Sequence, residues 1–355
     1  METIVTKVKN TLNIDPRATL SRGYLRYRKA RNQIALKHFW AQNNLAKGEA
    51  PAPFAPMRER IDELKKHINR DYCILDTPSH GNIGDHLIHV GELSFLNSLP
   101  HKKKYGSSLY TFNNSRISGN DLIVMHGGGN FGDIWHLHQK FREKIISSFK
   151  NNKIIIMPQT IFFNEDKNLK KAISVFSEHH NLTICTRDQR SYEIAVNNFT
   201  KNTVLLMPDM ASYKKLGFVK RASETIRKVL FMKRTDKELK ADYPLPYIKN
   251  IEIKDWPTFE NNYFNYLPDK HTQSDFYLNE GIIFMANYDL VITTRLHGCI
   301  LAALLGIPVI MVDNSYGKNR TYYETWLSQM PNCYLANNQN EVEQLVHNNF
   351  PEVTS

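Results

Sequence analysis

The sequence predicts an α/β protein with two mostly parallel sheets, one per domain, facing a cleft. Three observations predict it. Short apolar runs alternate with helical patterns, as βα units require. The alternation comes as two series, separated by a polar, basic crossing from about Tyr213 to Glu224. A chain of 355 residues also favours two cores over one. The division implied is 1–56 for a basic extension and linker, 57–222 for the first domain and 223–355 for the second, with a final helix able to pack across domains.

Residues 17 to 47 interleave Arg17, Arg22, Arg26, Arg28, Lys29, Arg31, Lys37 and Lys47 with Tyr24, Tyr27, Ile34, Leu36, Phe39 and Trp40. Such a segment reads as a helix packed on the protein or a partner subunit, or as one lying on a membrane surface. APAPFAP at 50 to 56 then breaks regular structure as a linker or wrapping arm. A helical pattern from Met57 to Ile68 leads to the apolar run DYCILD (71 to 76), and another begins near Asp85. SLYTF (108 to 112), DLIVMH (121 to 126), KIIIMP (153 to 158), LTICT (182 to 186) and TVLLMPD (203 to 209) complete the first series, with helices expected over 136–149, 167–179 and 188–197. The second series is KVLFMKR (228 to 234), YIKNIEI (247 to 253), a helix near 273–288, DLVITT (289 to 294), a helix from His297 to Leu305, and PVIMVD (308 to 313). Gly306 with Pro308 is a helix stop before a strand, and 338–350 is the last helix.

Hydrophobic residues at 41% exclude a disordered or fibrous chain. The net charge of +11 attracts phosphorylated small molecules, lipid diphosphates, anionic membranes or nucleic acid without choosing among them. No finger, recognition-helix or RNA-binding signature accompanies it, so no specific nucleic-acid partner is expected. Cys73, Cys185, Cys299 and Cys333 are scattered without CxxC or zinc-ligand spacing, which points to reduced, buried thiols and no metal. The start METIVTKVKNTLNIDPRATL lacks the pattern of a signal peptide, and no run is long enough to span a bilayer, so a reducing cytoplasm is the expected location.

Ligands of open parallel sheets bind beyond the carboxyl ends of the strands, and each unusual cluster falls there. His80 to His86 follow DYCILD; their glycines permit tight backbone geometry, and Asn82 and Asp85 either orient a ligand or cap the next helix. DLIVMH runs into Gly127, Gly128, Gly129, Asn130, Phe131, Gly132 and Asp133, where three bare glycines suit an anion-accepting nest of amides. The spacing is neither GxGxxG nor a P-loop. Gln159 can hydrogen-bond substrate oxygens, and Arg187 offers a fork for a carboxylate or phosphate unless it pairs internally with Asp188 or Asp209. Arg295 and His297 stand together at a strand-to-helix turn, a permanent cation beside a proton carrier. Lys318, in the polar loop from Asp313 to Arg320, either completes a phosphate site or is a solvated charge.

PSHGNIGDHLI (78 to 88), HGGGNFGD (126 to 133), MPQTI (157 to 161), TRD (186 to 188), LFMKRTDKE (230 to 238), TRLHG (294 to 298) and GIPVIMVDNSYGK (306 to 318) together resemble the polysaccharide pyruvyl transferase family, in particular members of bacterial exopolysaccharide and capsule synthesis. The resemblance covers roughly residues 70 to 325. It implies two Rossmann-like domains in a GT-B-like arrangement, phosphoenolpyruvate as donor substrate with no tightly bound cofactor, and a cyclic pyruvate ketal on two hydroxyls of one acceptor sugar. It assigns the family's catalytic histidine to His297, a donor-binding arginine to Arg295 and the arginine of the RD element to Arg187.

Enol phosphate chemistry then makes His297 the candidate acid at C3, with Asp85 as base and Asp133 in reserve. Arg295, Arg187, Lys318 and the amides of Gly127, Gly128 and Gly129 would hold phosphate and carboxylate. The acceptor expected is a sugar, including an undecaprenyl-diphosphate-linked one reached by peripheral contact with the cytoplasmic face of the inner membrane; a homo-oligomer is compatible. Two other readings stand beside it: a nucleotide-sugar glycosyltransferase of GT-B type, and a non-catalytic binding protein of polysaccharide assembly.

Overall fold

The strands of the computed structural model sort into two sheets, and every pairing between named strands is parallel. The structure describes residues 34, 54–217, 225–234, 244–257, 271–313 and 317–354. The basic stretch from 17 to 47 lies outside them apart from Ile34, as do residues 218–224 of the expected crossing.

The first sheet has the order β2-β1-β3-β5-β6-β7, with β4 paired to β5 off that path. Its strands are β1 (Tyr72–Leu75), β2 (Lys103–Ser107), β3 (Leu122–Met125), β4 (Gly128–Gly132), β5 (Ile154–Phe162), β6 (Leu182–Thr186) and β7 (Thr203–Leu206). The second has the order β12-β11-β10-β8-β9, from β8 (Val229–Met232), β9 (Ile251–Lys254), β10 (Leu290–Thr293), β11 (Val309–Val312) and β12 (Cys333–Ala336). Strands β1, β3, β6, β8, β10 and β11 are buried along their whole length. Strands buried in this way read as largely apolar runs in the sequence, with threonine in β6 and β10.

Helices α1 (Ala55–Asp62), α2 (Ile83–Leu96), α3 (His136–Ser148), α4 (Asp166–Ser177), α5 (Gln189–Asn198), α6 (His271–Met285), α7 (Leu296–Leu304), α8 (Lys318–Tyr322) and α9 (Gln339–Asn349) accompany the strands. Helix α7 ends as expected: Gly306 takes a positive φ of 71°, and the amide of Ile307 reaches back to the carbonyl of Ala302 at 2.9 Å.

Several expectations are corrected. Residues 108 to 112 are not a strand; the edge strand is the polar KKYGS just before them. An edge strand needs no apolar run, because only one side of it is paired. Strand β9 occupies only the end of the YIKNIEI run, while Ile248 makes a lone antiparallel bridge to Thr354. The residues Ala55 and Pro56 open α1 rather than extending a linker, with the proline at the start of the helix, where its missing N–H costs nothing. Part of the glycine cluster is itself a strand, β4, and β12 is a strand that the sequence pattern did not predict.

The two sheets meet through α2. Its Ile83, Leu87 and Val90 join Phe276, Tyr277 and Ile282 of α6 and Leu296, Ile300 and Leu301 of α7 in one buried apolar cluster. Each such side chain contributes about 1.5–3 kcal/mol of burial. Within the contact His86 stacks on Tyr277, ring centroids 4.1 Å apart. Its Nε2 lies 2.6 Å from the carbonyl oxygen of His80 and its Nδ1 2.9 Å from Ser274 Oγ. A carbonyl only accepts, so the proton sits on Nε2 and the serine hydroxyl donates to Nδ1. Burial pushes His86 well below its usual value and keeps the ring neutral. Helix α9 packs Val342 and Val346 on Ile292 and Ile310 of the second sheet. No helix of the described residues is long and apolar enough to cross a membrane.

On its other side α2 presses against the 3-10 turn Met210–Tyr213, where a Cβ at Gly91 would stand 1.9 Å from the carbonyl oxygen of Met210. Gly91→Ala is expected to cost about 3 kcal/mol by forcing these elements apart. An unchanged urea midpoint would show that the turn yields freely and that α2 is not clamped there.

Candidate active site

The carboxyl ends of strands in both sheets deliver polar side chains to one cavity of about 460 Å³. The first sheet and its loops supply Asp76, His80, Asn82, Asp85, His126, Gly129, Asn130 and Arg187; the second supplies Arg234, Asp255, Arg295, His297 and Lys318. Of the residues expected from sequence, Asn82, Asp85, Gly129, Asn130, Arg187, Arg295, His297 and Lys318 line it, whereas Gly127, Gly128, Asp133 and Gln159 do not.

Asp209, fully buried just beyond β7, ties the two halves of the cavity together. Its Oδ2 accepts from Arg187 Nη1 at 2.6 Å and lies 3.2 Å from His297 Nε2, while its Oδ1 accepts from the amide of Ala211 at 2.8 Å. Burial alone would raise its pKa. The charge and hydrogen bond of His297, then the charge of Arg187, outweigh that and hold the carboxyl well below the usual range. Arg187 Nε also donates to Thr160 Oγ1 at 2.9 Å, and Arg187 Nη1 stands 3.4 Å from His297 Nε2. Asp188 does not pair with Arg187; it caps α5 by accepting from the Ser191 amide.

His297 sits in the first turn of α7, and Gly84 in the first turn of α2 lies against it: a Cβ at Gly84 would be 2.7 Å from His297 Nδ1. Gly129 plays the same part for the cations. A Cβ there would stand 2.9 Å from Arg187 Nη2 and 3.4 Å from Lys318 Nζ, so bare backbone alone lets both approach. Arg295 turns its guanidinium to Asp255, donating through Nε and through Nη2, the latter at 2.6 Å.

At the start of α2 the cap is Asn82, whose Oδ1 accepts from the Gly84 amide at 3.1 Å. Its Nδ2 donates to Asp85 Oδ2 at 2.8 Å, and His80 Nε2 lies 3.5 Å from that oxygen. Burial raises the Asp85 pKa, but the charges of His80, His297, His126 and His86 prevail and leave it below the ordinary value.

Behind the glycine cluster lies a buried group of His89, Glu92 and His126. Glu92 Oε2 is 2.7 Å from His126 Nδ1 and 3.3 Å from His89 Nδ1, and its Oε1 accepts from the Gly127 amide at 2.8 Å. Burial would raise Glu92, yet the charge and hydrogen bond of His126, helped by His89, hold it at about 2. For His126 burial is the largest single effect and pulls its pKa down; Glu92, through charge and hydrogen bond, with Asp85 and Asp76 beyond it, reverses this and raises the value. The ligand-type atoms of the three lie within 4.8 Å of one another. The 2.7 Å contact is a hydrogen-bond separation, shorter than the about 3.3 Å that two ligands of one tetrahedral zinc would keep.

Residues 82–316 match the family model of polysaccharide pyruvyl transferases. The chain belongs to that family. It is 34% identical over 310 residues to EpsO of Bacillus subtilis (strain 168), which is provisionally named a pyruvyl transferase, covering 80% of this chain and 94% of EpsO. It is 32% identical over 281 residues to Pyruvyl transferase 1 of Schizosaccharomyces pombe (strain 972 / ATCC 24843), covering 72% of this chain and 69% of that protein. A crystal structure of a functionally uncharacterized protein from Klebsiella pneumoniae subsp. pneumoniae NTUH-K2044 superposes with a TM-score of 0.56 at 23% identity, over 79% of this chain and 98% of that one. That likeness concerns the fold. The pyruvyl transferase assignment makes the protein a transferase acting in polysaccharide synthesis.

Four residues expected at the site serve its frame. Asp133 accepts from the amides of Asn164 and Glu165 at 2.8 and 2.9 Å and from Asn168 Nδ2 at 3.1 Å, fixing the start of α4, so it is no reserve base. Gln159 is fully buried and braces the β3–β4 turn through the His126 carbonyl and Asn130. The Gly127 amide is taken by Glu92, and Gly128 lies outside the cavity lining, so the expected nest of three amides is reduced there to Gly129. Asp76, His126 and Asp255, which line the cavity, and Glu92, which backs His126, are positions that sequence reasoning did not single out. A charge within the apolar helix HLIHVGELSFL was a usable signal, since a buried carboxylate must find partners. Asp76, with φ 63° and its carboxylate 2.9 Å from His138 Nδ1, carried none.

Asp209→Asn leaves a buried guanidinium facing a neutral amide and is expected to cost about 3 kcal/mol near neutral pH. The native carboxyl is held below its usual 3.8, so its contribution is complete above that pH and is lost as the pH falls through the folded value. The stability gap between native protein and variant, read from urea midpoints, should therefore be flat from about pH 6 down to about 5 and narrow below about 4.

Proposed function

We propose that this pyruvyl transferase takes the pyruvyl group from phosphoenolpyruvate and places it on two hydroxyls of one acceptor sugar as a cyclic ketal. The reaction would run in a cleft between two Rossmann-like domains arranged as in GT-B enzymes. The observation that carries the reading is the convergence of Arg187 and Lys318 on the bare backbone at Gly129, with His297 Nε2 3.4 Å from Arg187 Nη1, within one cavity lined from both sheets.

The donor carries a phosphate and a carboxylate on neighbouring positions of a small enol. Arg187 and Lys318 beside Gly129 suit one of these groups, and Arg295, oriented by Asp255, suits the other. His297, held in place by Asp209, delivers a proton to C3. C2 thereby gains oxocarbenium character and is attacked by a hydroxyl, and phosphate departs as the second hydroxyl closes the ketal. These steps call on no resident cofactor. The reading extends to a lipid-diphosphate-linked acceptor presented at the cytoplasmic face of the inner membrane, which the net charge of +11 would favour.

With phosphoenolpyruvate and a panel of free, nucleotide-linked and lipid-linked sugars, the protein should release one phosphate per ketal formed, the product gaining the mass of pyruvate less water. Consumption of a nucleotide sugar without phosphate release would overturn the assignment. His297→Ala should lower kcat by about 10²–10⁴-fold while phosphoenolpyruvate still binds. Arg295→Ala should weaken binding of the donor itself, as titration calorimetry would show.

A further inference from the structure

We propose that His126, backed by Glu92, is the base that takes the proton from the attacking sugar hydroxyl. The inference rests on the pyruvyl-transfer reading above and adds to it the residue that activates the acceptor.

Three observations meet at this ring. His126 lines the cavity, at the end of β3 where the chain turns into the glycine cluster. Its Nδ1 is occupied at 2.7 Å by a carboxylate that is itself fully buried, so in the neutral ring the proton sits on Nδ1 and the lone pair on Nε2. Nε2, across the ring from Glu92, is buried and has no hydrogen-bond partner among the described residues. Buried polar atoms are nearly always paired, and one left unpaired in a residue that lines the cavity marks a place for a polar atom of a ligand. A hydroxyl proton fits an acceptor nitrogen there.

The carboxylates in the cavity are poorer bases, Asp76 because His138 Nδ1 holds it at 2.9 Å. Asp85 is held below the ordinary carboxylate value by the histidines around it, and Asp255 is bound to Arg295. The Glu92 carboxylate cannot reach the cavity: its oxygens are spent on His126, His89 and the Gly127 amide. Glu92 is thus a positioning residue that fixes the tautomer of His126 and raises its basicity, as a carboxylate does behind a histidine base.

The protons balance. In the first half, the hydroxyl oxygen bonds to C2, its proton passes to His126 Nε2, and the π pair of the enol takes a proton at C3 from His297. In the second half, the bond from C2 to the phosphate oxygen breaks with its electron pair on phosphate, the second hydroxyl bonds to C2, and its proton leaves with the phosphate. The proton held on His126 restores that lost by His297 through solvent, and nothing is oxidised or reduced.

The groups that face His126 are Glu92, His89 and Asp85 from α2, Asp76 from the end of β1, and His80 from the loop after it. Activity should therefore rise with pH through an ionisation above the usual histidine value, because the base works unprotonated. His126→Asn keeps an amide near Nδ1 to meet Glu92 and removes Nε2. Glu92→Gln keeps the hydrogen bonds that an amide can make and removes the charge. The experiment measures phosphate release and ketal product against pH for the native protein and both variants, with phosphoenolpyruvate binding by calorimetry and melting curves alongside.

The expected result is a kcat at least about 10²-fold lower in His126→Asn, with donor binding within about threefold of native, and an acid limb in Glu92→Gln displaced to lower pH by about one unit or more. If the native protein makes no ketal from phosphoenolpyruvate, the pyruvyl-transfer reading fails and this one with it. Should the native protein work while His126→Asn keeps more than a tenth of its kcat, the base assignment alone is overturned. An acid limb that stays in place in Glu92→Gln overturns it equally, whatever the melting temperature of His126→Asn.

Discussion

A single carboxylate holds the centre of this molecule. Asp209 leaves the end of the first sheet and meets Arg187 of the same sheet and His297 of the other with one oxygen. A buried charge pair of this kind contributes little net stability, because its desolvation offsets its attraction. What it does contribute is position: with both partners committed, the cation and the imidazole hold fixed places before any substrate arrives. The backbone around them is arranged to the same end, with bare glycine backbone at Gly84 against the imidazole and at Gly129 against the two cations.

The apolar contact between the sheets makes this possible. Helix α2 belongs in sequence to the first series of βα units, yet it buries Ile83, Leu87 and Val90 against α6 and α7 of the second. The helix that carries Asn82 and Asp85 at its start is therefore also the one that sets the distance to His297. The stacked pair of His86 and Tyr277 extends that contact towards the cavity mouth, where His80 stands. Polar groups held on rigid helix starts and strand ends lose little freedom when a ligand binds.

The cavity alternates in sign over short distances. Arg187, Arg295 and Lys318 bring positive charge to its lining, while Asp76, Asp85 and Asp255 bring negative charge. The histidines between them, His80, His126, His138 and His297, can carry protons from one zone to the other. That arrangement suits the proposed reaction, in which an anionic enol phosphate meets sugar hydroxyls.

Much of the scaffold was legible in the sequence, because strands such as LIVM (122 to 125) are buried along their whole length and are apolar throughout. The strand-end rule likewise pointed to Asp85, Arg187, Arg295, His297 and Lys318, all of which line the cavity. Polar KKYGS gave no strand signal, since an edge strand draws its stability from pairing on one side only. Tertiary structure alone decided which polar residues are spent on the frame and which face the cavity. Asp133 and Asp85 look alike in sequence, each close behind a glycine cluster, but Asp133 is surrounded by amide donors and Asp85 opens on the cavity. Hydrogen-bond partners distant along the chain make that distinction, as do the 34 positions separating Glu92 from His126, and no local pattern of residues encodes them.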